Sequence, residues 1–228
     1  MTKRKLQRFA ETETFQNVFH VCYEDSLKNF PLKGKWKTDF FKNNFPIVLE
    51  LGCGKGEYSV GLAERFPEKN FIGLDIKGAR IWRGAKTAVE NKMTNVAFLR
   101  TRIDFITSCF EDGEISEIWI TFPDPQPQES RERKRLTSDL FLNRYKKILK
   151  PEGIVHLKTD NFPFYEYTLE QAKKNNFSIL NFSSDLYAEK NNFSMDEKSA
   201  EALTQIQTFY EKKFSDLGFK ICYLSFKM

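Results

Sequence analysis

The sequence has few of the residues that metal sites and hydrolytic triads require. Only two histidines occur, His20 and His156, and the second lies in an apolar pattern typical of a strand, where a packed core histidine is more common than a base. Zinc coordination and Ser-His-Asp catalysis are therefore poorly supported. The four cysteines are scattered singly with no pair at C-x-x-C spacing, so we expect reduced structural thiols and no metal.

Long apolar runs are missing as well. No segment approaches the roughly 18 apolar residues that a membrane span needs. Polar and acidic residues, among them Gln7, Glu11 and Glu13, stand where a signal peptide has its apolar core. We therefore expect a cytoplasmic protein with no membrane partner, either a monomer or a weak homodimer. The 228 residues suffice for one well-cored α/β domain with additions.

The stretch from residue 47 to 57 begins as an apolar strand and breaks into a glycine-rich turn. Its glycines stand at alternate positions: Gly52, Gly54 and Gly56. They permit a tight turn and close approach of a ligand to the backbone. The dinucleotide fingerprint is not met, because Glu57 stands where its third glycine should be. With Glu50 at the strand end, the turn suits a neutral or cationic adenosine-type ligand such as S-adenosylmethionine; an ordinary tight turn is the competing interpretation.

From residue 47 onward, predicted strands and helices alternate. Strands are predicted at 47–50, 70–75, 96–100, 117–121, 154–158, 177–182 and 219–226. Helices are predicted at 57–66, 78–91, 137–149, 163–175 and 199–217, with a short helical turn at 104–110. The alternation predicts an α/β fold with a mostly parallel seven-stranded sheet and helices on both faces. We expect residues 1–45 to form an N-terminal extension, partly mobile at its start, and residues 46–228 to form the ligand-binding domain.

Charged residues follow the predicted strands, and ligands bind at the carboxyl ends of strands in such sheets. Asp75 ends the second strand, 25 residues after Glu50. An acid there commonly holds two ribose hydroxyls, although it also suits a cap of the next helix. Arg102 and Asp104 follow the third strand, where an adenine would lie.

A stiff proline-containing loop, Phe122-Pro123-Asp124-Pro125, follows the fourth strand. We expect Asp124 to lie near the transferred methyl group, with a surface turn formed by Asp as the competing interpretation. Asp160 follows the fifth strand on the same edge, where a helix cap is the alternative. The basic run from Arg131 to Arg135 comes next to the proline loop, and a second lies between Lys3 and Arg8. Such runs are usually solvated loops, but two of them around a small-ligand domain favour a polyanionic partner.

Five segments together are typical of one enzyme family. They are Glu50-Leu51-Gly52-Cys53-Gly54-Lys55-Gly56, Phe71-Ile72-Gly73-Leu74-Asp75, Phe122-Pro123-Asp124-Pro125 with its basic tail, Lys158-Thr159-Asp160-Asn161, and Thr208-Phe209-Tyr210-Glu211-Lys212-Lys213-Phe214. The chain from about residue 47 to its end resembles bacterial tRNA (guanine-N7)-methyltransferases, which methylate a guanine in the tRNA variable loop. The proline loop with its basic tail and the last segment are the specific ones.

The resemblance implies a Rossmann-like class I methyltransferase fold, S-adenosylmethionine as the methyl donor and tRNA as the substrate. It implies that Glu50, Asp75 and Asp124 belong to the cofactor site. The glycine turn and the position after the third strand add Gly52, Gly54, Gly56, Arg102 and Asp104 to the predicted cofactor-binding residues. It implies that Asp160, Thr208 and Glu211 lie on the guanine or RNA side. The predicted substrate-binding residues also include Gln128, Arg131, Arg133 and Tyr210, and the shared edge makes Asp124 and Asp160 the predicted catalytic residues. The family usually has a lysine pair shortly after the proline loop, near Gln128 and Glu129 here, so that contact is either lost or moved to Arg131.

The scarcity of histidine is compatible with this chemistry, because guanine N7 carries a lone pair and no proton, and its attack needs no general base. Two alternatives stay open. A class I methyltransferase acting on a small molecule or a protein would explain the glycine turn but not the basic loop. A non-catalytic RNA-binding module would explain the basic loop, and the intact Glu50 and Asp75 argue against it.

Overall fold

The structure of the protein is a computed structural model that describes residues 3–22, 30–189 and 193–228. The strands in these ranges are β1 Val18–His20, β2 Ile47–Leu51, β3 Asn70–Asp75, β4 Val96–Arg100, β5 Ile115–Thr121, β6 Leu149–Thr159, β7 Ser178–Ser183 and β8 Cys222–Lys227. The helices there are α1 Lys3–Thr12, α2 Glu57–Arg65, α3 Gly78–Glu90, α4 Ile106–Cys109, α5 Asp139–Ile148, α6 Phe162–Lys174, α7 Glu197–Gln205 and α8 Phe209–Asp216. Short helical turns at Trp36–Phe41, Ile103–Phe105 and Glu129–Lys134 complete the described elements.

The strands form one sheet in the order β1-β4-β3-β2-β5-β6-β8-β7. The pairings from β1 through β6 are parallel, and β8 is antiparallel to both β6 and β7. Every residue of β2 is buried, as expected of a parallel strand covered by helices on both faces. The chain order reverses at β2, which lies between β3 and β5, so the carboxyl ends there border the crevice where ligands bind in such sheets.

The sheet has one strand more than the predicted seven. The additional strand, β1, comes from the segment predicted to be an extension, and it pairs in parallel with β4. Trp36 of the same segment is fully buried, and its indole N–H donates to the carbonyl of Cys109 at 3.1 Å. A three-residue strand is too short to show a period-two pattern, which is why β1 was not predicted. Mobility at the start of the extension stays a prediction.

The prediction of a single helix at 199–217 is wrong, because the structure contains two helices, α7 and α8, in this region. Ile206 adopts an extended conformation after α7, and Thr208 begins α8 by accepting a hydrogen bond from the Glu211 N–H at 3.1 Å. The sequence carries this signal, since a threonine followed three residues later by glutamate is a capping-box pattern. The break turns the first residues of α8 toward the carboxyl edge of the sheet.

The prediction that His156 is a packed core residue is confirmed. Its ring stacks on Trp119 with centroids 4.0 Å apart, and its Nδ1 lies 2.9 Å from the hydroxyl oxygen of Tyr223. Burial lowers the pKa of His156 to about 4, so the imidazole is neutral at physiological pH. Within the described ranges, no helix combines the length and apolar character needed to cross a bilayer.

Candidate active site

The glycine turn after β2 contains two kinds of glycine. Gly52 and Gly54 have φ of 75° and 57°, a backbone conformation that favours glycine. A Cβ added to Gly52 would have no neighbour within 4 Å, and a Cβ added to Gly54 would lie 4.0 Å from the carbonyl oxygen of Gly52. A Cβ on Gly56 would lie 2.5 Å from the Phe98 ring and 3.2 Å from the Cα of Gly84. Gly56 therefore permits close packing of α2 against α3 and β4, while the first two glycines leave open space beside the backbone.

Glu50 lies at the end of β2 with only 3% of its surface exposed. Its Oε2 accepts hydrogen bonds from the N–H and hydroxyl of Ser59, and its Oε1 accepts from the hydroxyl of Thr121 at 2.7 Å. Burial raises the pKa of Glu50 to about 7, although these hydrogen bonds oppose the shift. A cation bound nearby would favour the ionised carboxylate.

Asp75 is directed toward the glycine turn. Its Oδ2 accepts a hydrogen bond from the Gly54 N–H at 3.0 Å, and its Oδ1 accepts from the Lys77 N–H at 2.7 Å. The cap position of α3 is occupied by Lys77, so the competing interpretation of Asp75 as the helix cap is wrong. Each carboxylate oxygen retains a second lone pair, which leaves acceptors for the hydroxyls of a ligand.

Arg102 and Asp104 follow β4, the strand next to β3. The guanidinium of Arg102 lies 3.4 Å from Oδ2 of Asp104, and that of Arg144 on α5 lies 3.3 Å from Oδ1. Asp104 is thus shared by two arginines, and the Arg102 side chain is largely exposed. Contact of either residue with an adenine stays a prediction.

The loop after β5 holds Asp124 on a strained backbone. Phe122 and Gln126 have φ of 50° and 46°, an uncommon conformation for residues with a side chain. The Phe122 N–H donates to the carbonyl of Lys158 at 2.9 Å, which joins the loop to β6. Oδ1 of Asp124 accepts from the Gln126 N–H at 3.1 Å, so Asp124 does form a turn, as the competing interpretation expects, and its side chain is also exposed. The strain is typical of functional loops.

At the end of β6, the cap of the next helix and the candidate catalytic acid are two different residues. Asn161, rather than Asp160, caps α6, because its side-chain oxygen accepts from the Phe164 N–H at 2.9 Å. Asp160 is half-buried, and this burial raises the pKa of its carboxyl above the usual value. Because β5 and β6 are parallel neighbours, Asp124 and Asp160 follow adjacent carboxyl ends on the same edge.

A buried ion pair lies beneath this edge. Nζ of Lys158 is 2.7 Å from Oε1 of Glu211, and neither side chain is exposed to solvent. Lys158 also donates to the Leu203 carbonyl at 2.8 Å, and the Tyr187 hydroxyl donates to Glu211 at 2.8 Å. Substrate binding by Glu211 stays a prediction, although the structure places its carboxylate inside the protein. Sequence reasoning assigned no role to Lys158. The signal that could have identified it is the presence of a lysine in an otherwise apolar strand.

Helix α8 contacts three parts of the site. Through Glu211 it is bonded to β6. The backbone N–H of Phe209 donates to Oε2 of Glu57, directly after the glycine turn, at 3.1 Å. The Phe214 ring stacks on Phe122 of the proline loop with centroids 6.4 Å apart. The structure therefore brings the last segment to the carboxyl edge, with Thr208 buried as its cap and Tyr210 exposed.

The basic loop presents some of its charges and uses another internally. Arg131, Arg133 and Lys134 are exposed on the short helical turn after Gln128, which is also exposed. Nε of Arg135 donates to the carbonyl of Gln126 at 3.1 Å, and its guanidinium lies over the ring of Tyr167. Arg135, which the sequence grouped with the phosphate-binding residues, stabilises the loop.

A cavity of about 240 Å³ lies away from this edge. Its lining includes Phe71 and Glu117, near the amino ends of β3 and β5, together with His156, and no predicted site residue. Among the described residues, no group of three or more His, Cys, Asp or Glu is placed to hold a metal ion. The carboxyl edge presents backbone amides of the glycine turn, the carboxylates of Asp75, Asp124 and Asp160, and exposed cations.

Comparison with known proteins identifies the family. A family profile described as "Putative methyltransferase" matches residues 44–224. A tRNA (guanine-N(7)-)-methyltransferase from Christiangramia forsetii is 53% identical over 228 residues, covering 100% of this chain and 99% of the relative. The chain belongs to the tRNA (guanine-N(7)-)-methyltransferase family. Relatives of the same name from Bacteroides thetaiotaomicron and Brevibacillus brevis are 45% and 36% identical, covering 100% and 87% of this chain and 87% and 91% of theirs.

Solved structures confirm the fold of this family member. The 16S rRNA methyltransferase KamB superposes with a TM-score of 0.61 at 14% identity, covering 88% of this chain and 96% of that one. A 16S rRNA adenine methyltransferase variant from Catenulisporales acidiphilia, solved with its cosubstrate SAM, has a TM-score of 0.56 at 13% identity, covering 87% and 92%. The predicted Rossmann-like class I methyltransferase fold is correct, with eight strands in place of seven.

Proposed function

We propose that this protein transfers the methyl group of S-adenosylmethionine to N7 of a guanine in tRNA, and that the guanine lies in the variable loop. The similarity to relatives of that name over the whole chain carries the proposal. The shared carboxyl edge of the glycine turn, Asp75, Asp124 and Asp160 supports it. A small-molecule or protein acceptor would leave the exposed Arg131 and Arg133 without a role. A tRNA substrate implies action in the cytoplasm.

The residues around the glycine turn fit S-adenosylmethionine. The positions where Gly52 and Gly54 lack a Cβ are open, so a ligand can approach the backbone there. Asp75 retains acceptors for ribose hydroxyls. Glu50 is a buried carboxylate whose ionisation a bound ammonium would favour. When bound, the cofactor supplies a methyl group activated by its positive sulfur.

In the reaction, the lone pair of guanine N7 forms the bond to the methyl carbon, and the bond between that carbon and sulfur breaks with its electron pair on sulfur. No proton is removed, so no base is needed. Positive charge appears on the purine ring, and the carboxylates of Asp124 and Asp160, whose strands end on the same edge of the sheet, stabilise it. Alignment of the two substrates by the stiff proline loop contributes much of the remaining rate.

Mapping the methylated base is the direct test of this function. Purified protein is incubated with an unmodified tRNA transcript and isotopically labelled cofactor, and the RNA is digested for mass spectrometry. We expect label on N7 of one guanine in the variable loop. Label at another base, or only on small-molecule acceptors, would contradict the proposal, and binding of tRNA without transfer would favour the non-catalytic module.

Replacing Glu50 with Gln should separate stability from cofactor binding. The pKa of Glu50 in the folded protein, about 7, lies above its ordinary value of 4.5. The contribution of Glu50 to the free energy of unfolding is therefore fully present below pH 4.5 and is lost as the pH rises through 7. This pH-dependent loss of stability amounts to about 3 kcal/mol, and it should be absent from Glu50→Gln, whose amide does not ionise. Urea unfolding at pH 5 and pH 8 should show a smaller decline for the variant, while calorimetry shows weaker binding of the cofactor. Parallel pH profiles for parent and variant would contradict the burial of this charge.

Arg133 should contribute to tRNA binding through phosphate contact. Replacing it with Ala should weaken binding of all tRNA species and lower the log-log dependence of affinity on salt by about 0.7 to 0.9. Lys147→Ala provides a matched control, because Lys147 is an exposed cation in the last turn of α5, at the opposite end of the sheet. Affinity for the cofactor should not change. A salt dependence of Arg133→Ala equal to that of the control would show that Arg133 belongs to a solvated surface.

A further inference from the structure

The first turn of α8 exposes two aromatic rings beside the proposed active site. Phe209 is 52% exposed and Tyr210 is 39% exposed. They continue a series of ring contacts that begins in the proline loop, where Phe122 stacks on Phe214. Phe214 in turn stacks on Tyr210 with centroids 6.2 Å apart, and Tyr210 meets Phe209 edge-on at 5.6 Å. The rings therefore connect the loop that holds Asp124 to the protein surface.

The position of Phe209 is set by polar contacts at both sides. Its backbone N–H is bonded to Glu57, and Nζ of Lys55 in the glycine turn lies 4.0 Å from the centroid of its ring. The buried pair of Lys158 and Glu211 fastens the same helix to β6. A ring held this way loses little conformational freedom when a ligand stacks on it, which favours binding.

We propose that Phe209 and Tyr210 form a stacking platform for an unpaired nucleobase of the RNA substrate, next to the guanine that is methylated. This inference rests on the proposed function. Proteins recognise RNA mainly at unpaired bases, which they stack on aromatic side chains. Lys55 lies over the Phe209 ring, and the exposed Lys212 and Lys213 follow Tyr210 in the same helix, where they suit the phosphates that accompany such a base. A protein partner would have no comparable need for cations around aromatic rings.

The test is the replacement of Phe209 by Leu, which keeps an apolar side chain and removes the stacking face. We expect the KM for tRNA to rise about tenfold or more, with kcat and cofactor affinity close to the parent values. Phe209→Trp should retain the parent KM, because indole also stacks. Phe182→Leu is the matched control, since Phe182 is 64% exposed on β7 at the far edge of the sheet and should not affect KM.

Direct binding separates this inference from the proposed function. Affinity for an unmodified tRNA transcript and for a fully paired RNA duplex is measured without the methyl donor. Phe209→Leu should weaken binding of the tRNA more than that of the duplex, whichever base the enzyme methylates. Equal affinities of parent and variant for tRNA would overturn the platform. Weaker cofactor binding with unchanged tRNA affinity would also overturn it, and would show that the ring covers the cofactor.

Discussion

Replacing Asp124 with Ala should lower the turnover of tRNA at saturating substrates by about 100-fold or more. Asp124 is exposed on a loop whose backbone is held in an uncommon conformation, at the edge where the glycine turn and Asp160 also lie. Its carboxylate is negative where the purine becomes positive, so its removal costs most in the transition state. Single-turnover assays with tRNA give the rate, and circular dichroism and the unfolding midpoint show whether the variant is folded.

Asp124→Asn distinguishes the charge from the turn. The amide oxygen can still accept the hydrogen bond from Gln126, so the loop keeps its shape while the negative charge is lost. If the charge matters, Asn should lower turnover nearly as much as Ala. Near-parent turnover of Asp124→Asn with low turnover of Asp124→Ala would mean that Asp124 acts only by shaping the loop. Asp160→Ala should reduce turnover as well, and full activity of both alanine variants would place the methyl transfer elsewhere.

Replacing Lys158 with Met should destabilise the protein by about 3 to 5 kcal/mol. The substitution removes the cation that faces Glu211 and leaves a carboxylate inside the protein without a counterion. The loss should be measured as the free energy of unfolding in urea. Methyl transfer should also fall, because α8 carries Phe209 and Tyr210 and is fastened to β6 by this pair.

The double variant Lys158→Met with Glu211→Leu shows whether the loss comes from the unpaired charge. With both charges replaced by apolar side chains, most of the stability should return, because a buried ion pair contributes little net stability compared with apolar packing. Recovery of stability without recovery of turnover would assign the pair a role in placing α8 or Glu211 a role in substrate binding. If Lys158→Met alone lost less than 1 kcal/mol, the pair would have to be solvated in solution.

Local sequence patterns were enough to predict the central part of the fold. The strands predicted at 70–75 and 96–100 match β3 and β4, and those at the glycine turn and before the proline loop differ by one or two residues. Buried parallel strands consist of continuous apolar runs, and such runs are local features of the chain. The glycine turn and Asp75 were recognisable for the same reason, since both follow such runs directly.

Which candidate residues lie together, and which make contacts inside the protein, depends on the packing of distant segments. It paired β1 with β4, packed Gly56 against Phe98, and engaged Arg135 with the carbonyl of Gln126. It also placed Glu211 against Lys158, although the two are far apart in the chain. Such contacts depend on where the packing of the sheet brings distant segments together. A local pattern shows that a residue is charged, and the partner that burial provides determines whether that charge binds a ligand or stabilises the protein.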